Sequence, residues 1–223
     1  MDLKLLSELL GARGEPGFRA RQVWEWAARG ASSYDEMTNL PRDLREALAG
    51  EVPYSTLRPL REARARDGTE KALFETGDGR PVEAVLMRYR ASRKHPARPG
   101  AQRPLPRRSL CLSSQSGCPL TCSFCATGRM KFGRNLTTSE ILDQALHFRR
   151  MEPVNHAVFM GMGEPLMNLD AVLEACGRLP EIGIATSNTA ISTVGWIPGI
   201  ERMTREGPPV RLALSVHAAD EAL

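Results

Sequence analysis

The sequence predicts an α/β fold, a partial (β/α) barrel preceded by a small helical region and a β-hairpin. Three observations predict it. Apolar residues recur at helical spacing over about the first 50 positions, the period falls to two near residue 70, and from residue 109 short apolar runs alternate with helical patterns. The expected divisions are residues 1–60 (helical), 61–108 (hairpin and a basic loop) and 109–223 (the βα core).

Leu3, Leu5, Leu6, Leu9 and Leu10 form the first helical run, which Gly11 and Gly14 stop. A second helix passes through Arg19, Gln22, Val23, Trp24 and Trp26 to Gly30, with both tryptophans read as packing residues. A third follows Leu40-Pro41, with the proline in its first turn and Leu44 and Leu48 facing inward. Residues 71–76 and 81–87 alternate in hydropathy around Gly77-Asp78-Gly79, a hairpin signal. Glu83 interrupts the second of these strands, and alternation alone turns it to solvent. Residues 88–108 hold seven Arg, one Lys and no acid, a local charge of +8 against +4 for the chain. Such a segment cannot pack against itself and reads as a mobile loop that attracts phosphate.

Beyond it, residues 109–114 form a strand that leads into a cysteine-rich loop. Thr137 and Glu140 open a helix as a capping box, and residues 156–160 make a buried strand ending in Gly161-Met162-Gly163-Glu164-Pro165. Asn168 is placed to cap the next helix, whose inner face is Val172, Leu173, Cys176 and Leu179. A strand at 189–193, a helix around Ile200 and a strand at 210–216 follow. Ligand sites in such folds lie on the loops leaving the C-terminal ends of the strands. The cysteine loop, the GMGEP loop, Ser192 and Ser215 to His217 are therefore expected on one rim.

With 42% hydrophobic residues but only 5% aromatics, the core must be built from Leu, Val, Ile, Ala and Met. No apolar run approaches bilayer-spanning length, and Asp2, Lys4 and Glu8 within the first apolar stretch argue against a signal peptide. A cytoplasmic location is expected, where five cysteines read as metal ligands, catalytic groups or buried core.

Cys118-x3-Cys122-x2-Cys125 places three thiols in one loop. A structural zinc site wants four ligands, as does an ordinary ferredoxin cluster, and no second pair is near. Three ligands on a [4Fe–4S] cluster leave one iron open. With Phe124 before the third cysteine, the loop resembles that of the radical SAM superfamily. There the open iron binds S-adenosylmethionine (SAM), and an electron passed to the sulfonium releases a 5′-deoxyadenosyl radical. The GMGEP segment resembles the superfamily's motif for the SAM amino group, with Glu164 facing the ammonium and glycines admitting close backbone approach.

Longer matches narrow the resemblance. FRARQVWEWAARG, YDEMTNLP, VEAVLMR, SLCLSSQSGCPLTCSFCATGRMKFGRNLTTSEI, FMGMGEPLMNLDAV, ISTVGWIPGI and LALSVHAADE resemble the RlmN/Cfr family of radical SAM adenosine C-methyltransferases over nearly the whole chain. The resemblance implies a partial radical SAM barrel with an RNA-binding accessory domain at 1–60. It implies methylation, with a [4Fe–4S] cluster and two SAM, of an adenosine in the peptidyl transferase centre of 23S rRNA and of one beside the tRNA anticodon. RlmN members act at C2, which is the expectation here, and Cfr members at C8, which is the alternative. The partners implied are 23S rRNA, tRNA and an electron donor such as flavodoxin, with no membrane.

By the same resemblance Cys118, Cys122 and Cys125 hold the cluster, and Gly163, Glu164, Ser192, Ser215, Val216 and His217 contact SAM. Glu83 is a proton acceptor. Cys111 takes the ring proton and helps release product through a disulfide with a methyl-carrying cysteine near the family's C-terminus. Cys176 matches no motif and reads as core. The sequence stops at Leu223 within a βα repeat, before that cysteine and a further SAM-contacting asparagine. The expectation is a fragment not itself competent for methyl transfer. A natural short form and an RNA-binding module without catalysis are the alternatives.

Overall fold

The structure, a computed structural model, describes residues 1–89, 106–207 and 209–217. Most of the expected basic loop (90–105) and the polar end at 218–223 lie outside the described residues.

Three helices come first: α1 (Leu3–Ala12), α2 (Phe18–Arg29) and α3 (Arg42–Glu51). The Asp2 carboxylate caps α1 by accepting from the Lys4 and Leu5 N–H groups, and α2 ends on Gly30 at a φ of 101°. Pro41 stands one residue ahead of α3 rather than inside its first turn. Trp24 is buried, and the Trp26 indole N–H donates to Asn39 Oδ1 at 2.6 Å, so both tryptophans are packing residues.

The chain then forms β1 (Leu57–Arg64), β2 (Glu70–Thr76), β3 (Pro81–Arg88), β4 (Arg108–Cys111), β5 (Gln115–Ser116) and β6 (Arg134–Asn135). After these come α4 (Thr138–Met151), β7 (His156–Phe159), α5 (Leu169–Ile182), β8 (Thr189–Thr193), α6 (Ile197–Glu206) and β9 (Arg211–Leu214). Seven strands make one sheet in the order β1-β2-β3-β4-β7-β8-β9, antiparallel up to β4 and parallel from β4 onward. The parallel part comes from the βα alternation, because parallel neighbours need a crossover helix. β5 and β6 form a separate two-stranded ribbon.

β1 is an element the sequence did not announce, and it crosses the boundary expected at residue 60. Only Leu57 of its eight residues is buried, so LRPLREAR carries no apolar alternation. As an edge strand it shows charge to solvent on both faces, and a bulge between Pro59 and Arg61 blunts the free edge.

The two faces of the sheet differ. Leu110, Ala157 and Ile191 are buried on the face that shares a core with Ile141, Ala145 and Phe148 of α4 and with Val172, Cys176 and Leu179 of α5. That core is continuous with Leu6, Val23 and Leu44 of the N-terminal helices. α4 starts at the expected capping box: Thr137 Oγ1 accepts from the Glu140 N–H, and the Glu140 carboxylate accepts from the Thr137 N–H. Asp143, buried in α4, accepts from the Thr56 N–H and hydroxyl at 2.6 and 2.7 Å and ion-pairs with the Met1 ammonium, joining helices to sheet. No helix among the described residues is long and apolar enough to cross a membrane.

Candidate active site

The rim at the C-terminal ends of the parallel strands is built from loops that follow β4, β7, β8 and β9. After β4, the β5/β6 ribbon pairs Gln115 with Asn135 and Ser116 with Arg134, closing the base of the cysteine loop that lies between them. Within the loop the Cys125 N–H donates to the Cys122 carbonyl at 3.1 Å, and the Arg129 guanidinium donates to the Ser123 carbonyl at 3.0 Å. All three cysteines are half-buried and line a cavity of about 280 Å³. Gly163, Glu164, Ser192, Ser215 and His217 line the same cavity, so four separate loops converge as expected.

Glu164 is 3% exposed. One of its carboxylate oxygens accepts from the Leu166 N–H at 3.1 Å and the other from the Val194 N–H at 3.0 Å, which ties the β7 loop to the β8 loop. Among the described residues no cation pairs with it. Ser192 and Ser215 share a hydroxyl–hydroxyl hydrogen bond of 2.9 Å across β8 and β9. The Phe124 and His217 rings stand 4.5 Å apart at 46°, a tilted stack beside the cysteines. Val216 is 65% exposed and does not line the cavity, so a ligand there meets its backbone neighbours Ser215 and His217 instead.

The glycines of GMGEP are required by close approach. A Cβ on Gly161 would come within 2.5 Å of Ser113 Oγ and 2.8 Å of the Leu112 backbone. Gly163 sits at a φ of 97°, where a Cβ would meet the Gln115 side chain at 2.5 Å.

Glu83 and Cys111 stand outside the cavity, on the same face of the sheet as Ser192. Val85 of β3 pairs with Cys111, Cys111 with Val158 of β7, and Val158 with Ala190 of β8. Laterally paired residues project to one side and so do residues two apart, which places Glu83, Cys111 and Ser192 together on the face opposite the helices. The Lys71 ammonium is 2.7 Å from the Glu83 carboxylate, and both side chains keep substantial exposure to solvent, as alternation predicts for the glutamate.

Burial pushes the Cys111 thiol above the ordinary cysteine range, opposed by the Met160 N–H. A raised value keeps the thiol protonated at neutral pH, and the thiolate forms only as pH rises past it. Alkylation of Cys111 by iodoacetamide, followed by mass spectrometry, is therefore expected to reach half-maximal rate at a higher pH in the folded protein than in the urea-unfolded chain. Burial also raises the Cys118 thiol, the Leu120 N–H opposing it and Cys122, Cys125 and Glu164 adding to it. Cys176 is fully buried in α5, and desolvation pushes its thiol up to about 12. All five cysteines are free, so the disulfide implied for Cys111 is not formed within this chain.

As the side chains stand, no group of three or more His, Cys, Asp or Glu among the described residues is placed to hold a single metal ion. The cysteines of an iron–sulfur cluster each bind a different iron, so they stand further apart than ligands of one ion. Three thiols around a cavity that a buried carboxylate without a cation also lines fit a cluster with an open iron and a ligand bearing an ammonium. A larger groove, about 760 Å³, lies between α1, α2 and α5, but it holds neither Cys nor His.

The sequence reading did not single out Gln115 or Ser113. The Glu164 N–H donates to Gln115 Oε1 at 2.9 Å, and the Met162 N–H donates to Ser113 Oγ at 2.8 Å. Their signal was two polar side chains at a spacing of two, just past an apolar strand, in a stretch too short to show a period.

Known proteins resemble the chain along its length. Residues 112–223 match the model of the radical SAM superfamily, and residues 1–52 match that of the ribosomal RNA large subunit methyltransferase N-terminal domain. A probable dual-specificity RNA methyltransferase RlmN from Gemmatimonas aurantiaca is 43% identical over 99% of this chain and 59% of its own length. The dual-specificity RNA methyltransferase RlmN of Geobacter sulfurreducens is 40% identical over 98% and 57%. The crystal structure of a radical SAM methyltransferase from Sphaerobacter thermophilus superposes with a TM-score of 0.81 at 40% identity, covering 98% of this chain and 62% of that one. The chain thus spans about three fifths of the length of these relatives.

Proposed function

Because the chain belongs to the radical SAM superfamily and carries the N-terminal domain of ribosomal RNA large subunit methyltransferases, we propose that it is the SAM-cleaving part of an RNA adenosine methyltransferase. The observation that carries the reading is the convergence of Cys118, Cys122 and Cys125 with Glu164, Ser192, Ser215 and His217 on one cavity. A [4Fe–4S] cluster, when bound, supplies the electron that cleaves the sulfonium of SAM.

The chain's own residues divide the remaining work. Cys118, Cys122 and Cys125 hold the cluster, while the Glu164 carboxylate receives the ammonium of SAM. Ser192 and Ser215 offer hydroxyls to its polar groups, and Gly163 lets backbone approach. Glu83 and Cys111, on the adjoining strands, serve as proton acceptors toward the substrate base.

The substrate by this reading is an adenosine, methylated at C2, in 23S rRNA and in tRNA; the relatives' names as dual-specificity RNA methyltransferases support RNA as the substrate class. An electron donor such as flavodoxin completes the system, and the cytoplasm is its place. The test is anaerobic reconstitution with iron and sulfide, reduction with dithionite and addition of SAM. The protein should turn brown and release 5′-deoxyadenosine. Careful reconstitution that leaves it free of iron, with salt-dependent RNA binding intact, would replace this reading by that of an RNA-binding module.

A further inference from the structure

The loop that carries the three cysteines and the loop that carries Glu164 must face one ligand from two sides, yet no backbone ladder joins Glu164 to the cysteine loop. One buried side chain spans the gap. Gln115, 1% exposed, accepts the Glu164 N–H on its Oε1 at 2.9 Å, and its Nε2 donates to Asn135 Oδ1 at 2.8 Å. Gln115 and Asn135 are paired residues of the ribbon that closes the cysteine loop. A single amide therefore holds both sides of the loop's base and the backbone of the carboxylate residue. The missing Cβ of Gly163 gives this amide its room: any side chain there would overlap Gln115. The main chain adds two bonds nearby, from the Ser114 and Gln115 N–H groups to the Met162 carbonyl at 3.0 and 3.2 Å, but these fix Met162 and not Glu164.

We propose that Gln115 is a positioning residue that fixes the Glu164 carboxylate against the cysteine loop, so that thiols and carboxylate meet the same ligand. This rests on the reading of the cavity as the cluster and SAM site. Gln115 does not line the cavity and acts through Glu164 and the ribbon.

Gln115→Met keeps the volume and removes both hydrogen bonds. The expected result is a protein that takes up iron and sulfide like its parent but binds SAM at least about tenfold more weakly, the usual scale of losing an orienting partner. In the metal-free protein the Glu164 amide should exchange its hydrogen faster, while the amides of β7 and β8 keep their protection. Gln115→Glu keeps an acceptor for the Glu164 N–H but loses the donor to Asn135 and sets a second carboxylate beside Glu164, so it should not rescue SAM binding.

SAM affinity within about twofold of the parent, with the Glu164 amide still protected, overturns the proposal. Should Gln115→Met fail to fold, Asn135→Ala at an exposed position removes the far anchor, together with the bond from Asn135 Nδ2 to the Met167 carbonyl. It should weaken SAM binding in the same direction and by less, and unchanged affinity there overturns the coupling. If the parent protein takes up no iron or binds no SAM, the reading of the cavity fails. The amide-exchange comparison needs neither and still tests the role of Gln115.

Discussion

Alanine at any one of Cys118, Cys122 or Cys125 should lower the iron of the reconstituted protein from about four per chain to well under one, and abolish 5′-deoxyadenosine formation. The same changes should leave the metal-free fold alone. The three thiols are half-buried, and the loop that holds them is closed by the β5/β6 ribbon and by the Gly133 N–H donating to the Ser116 carbonyl. Urea unfolding of the metal-free variants is expected within about 0.5 kcal/mol of the parent. Cys176→Ala should do the reverse. That side chain is fully buried in α5, so its loss leaves a small cavity and costs about 1 kcal/mol, while iron binding persists. Iron analysis and unfolding curves on the four variants separate loop thiols from core thiol. A variant among the first three that keeps both iron and SAM cleavage would remove that cysteine from the ligand set.

Where a residue's role follows from local pattern, the sequence was enough to find it. The strand–helix alternation located β4, β7, β8 and β9 to within a few residues, and the rule that ligands gather at strand ends brought four distant segments to one cavity. Thr137 and Glu140 formed their capping box because every partner lies within one helical turn. Roles set by distant contacts were not legible. Asn168 occupies the N-cap position of α5, but its amide donates to the Ser114 and Leu136 carbonyls at 2.8 Å each instead of capping the helix. An asparagine before a helix reads as a cap whichever way it turns. β1 escaped notice because an edge strand buries too little to alternate. Glu83 looked solvent-facing by period and took its role from the family resemblance alone; the register through Val85 to Cys111, which puts the two on one face, was not legible in the sequence.

Glu164 offers the sharpest test of the cavity's electrostatics. A buried carboxylate is costly unless it is compensated. Here two backbone N–H groups, of Leu166 and Val194, supply partial compensation, and among the described residues no cation completes it. An arriving ammonium would take up the remaining lone pairs in a site already shielded from water, and a hydrogen bond to a charged group contributes about 1.5–3 kcal/mol. Glu164→Gln keeps the shape but loses the charge and one of the two acceptor oxygens, so either the Leu166 or the Val194 N–H then faces an amide NH2. Its SAM affinity, measured by titration calorimetry on the reconstituted protein, should fall roughly ten- to hundredfold, with the cluster intact. Glu164→Ala goes further, since the Leu166 and Val194 N–H groups lose their acceptor and each buried orphan costs about 1–3 kcal/mol. That variant should therefore also unfold at a lower urea concentration. If glutamine preserved affinity while alanine lost only stability, Glu164 would be a loop clamp and the ammonium would be held elsewhere. If both lose affinity and alanine loses more stability than glutamine, one carboxylate does both tasks: its charge receives the ligand, and its two oxygens hold the β7 and β8 loops at the spacing that ligand needs.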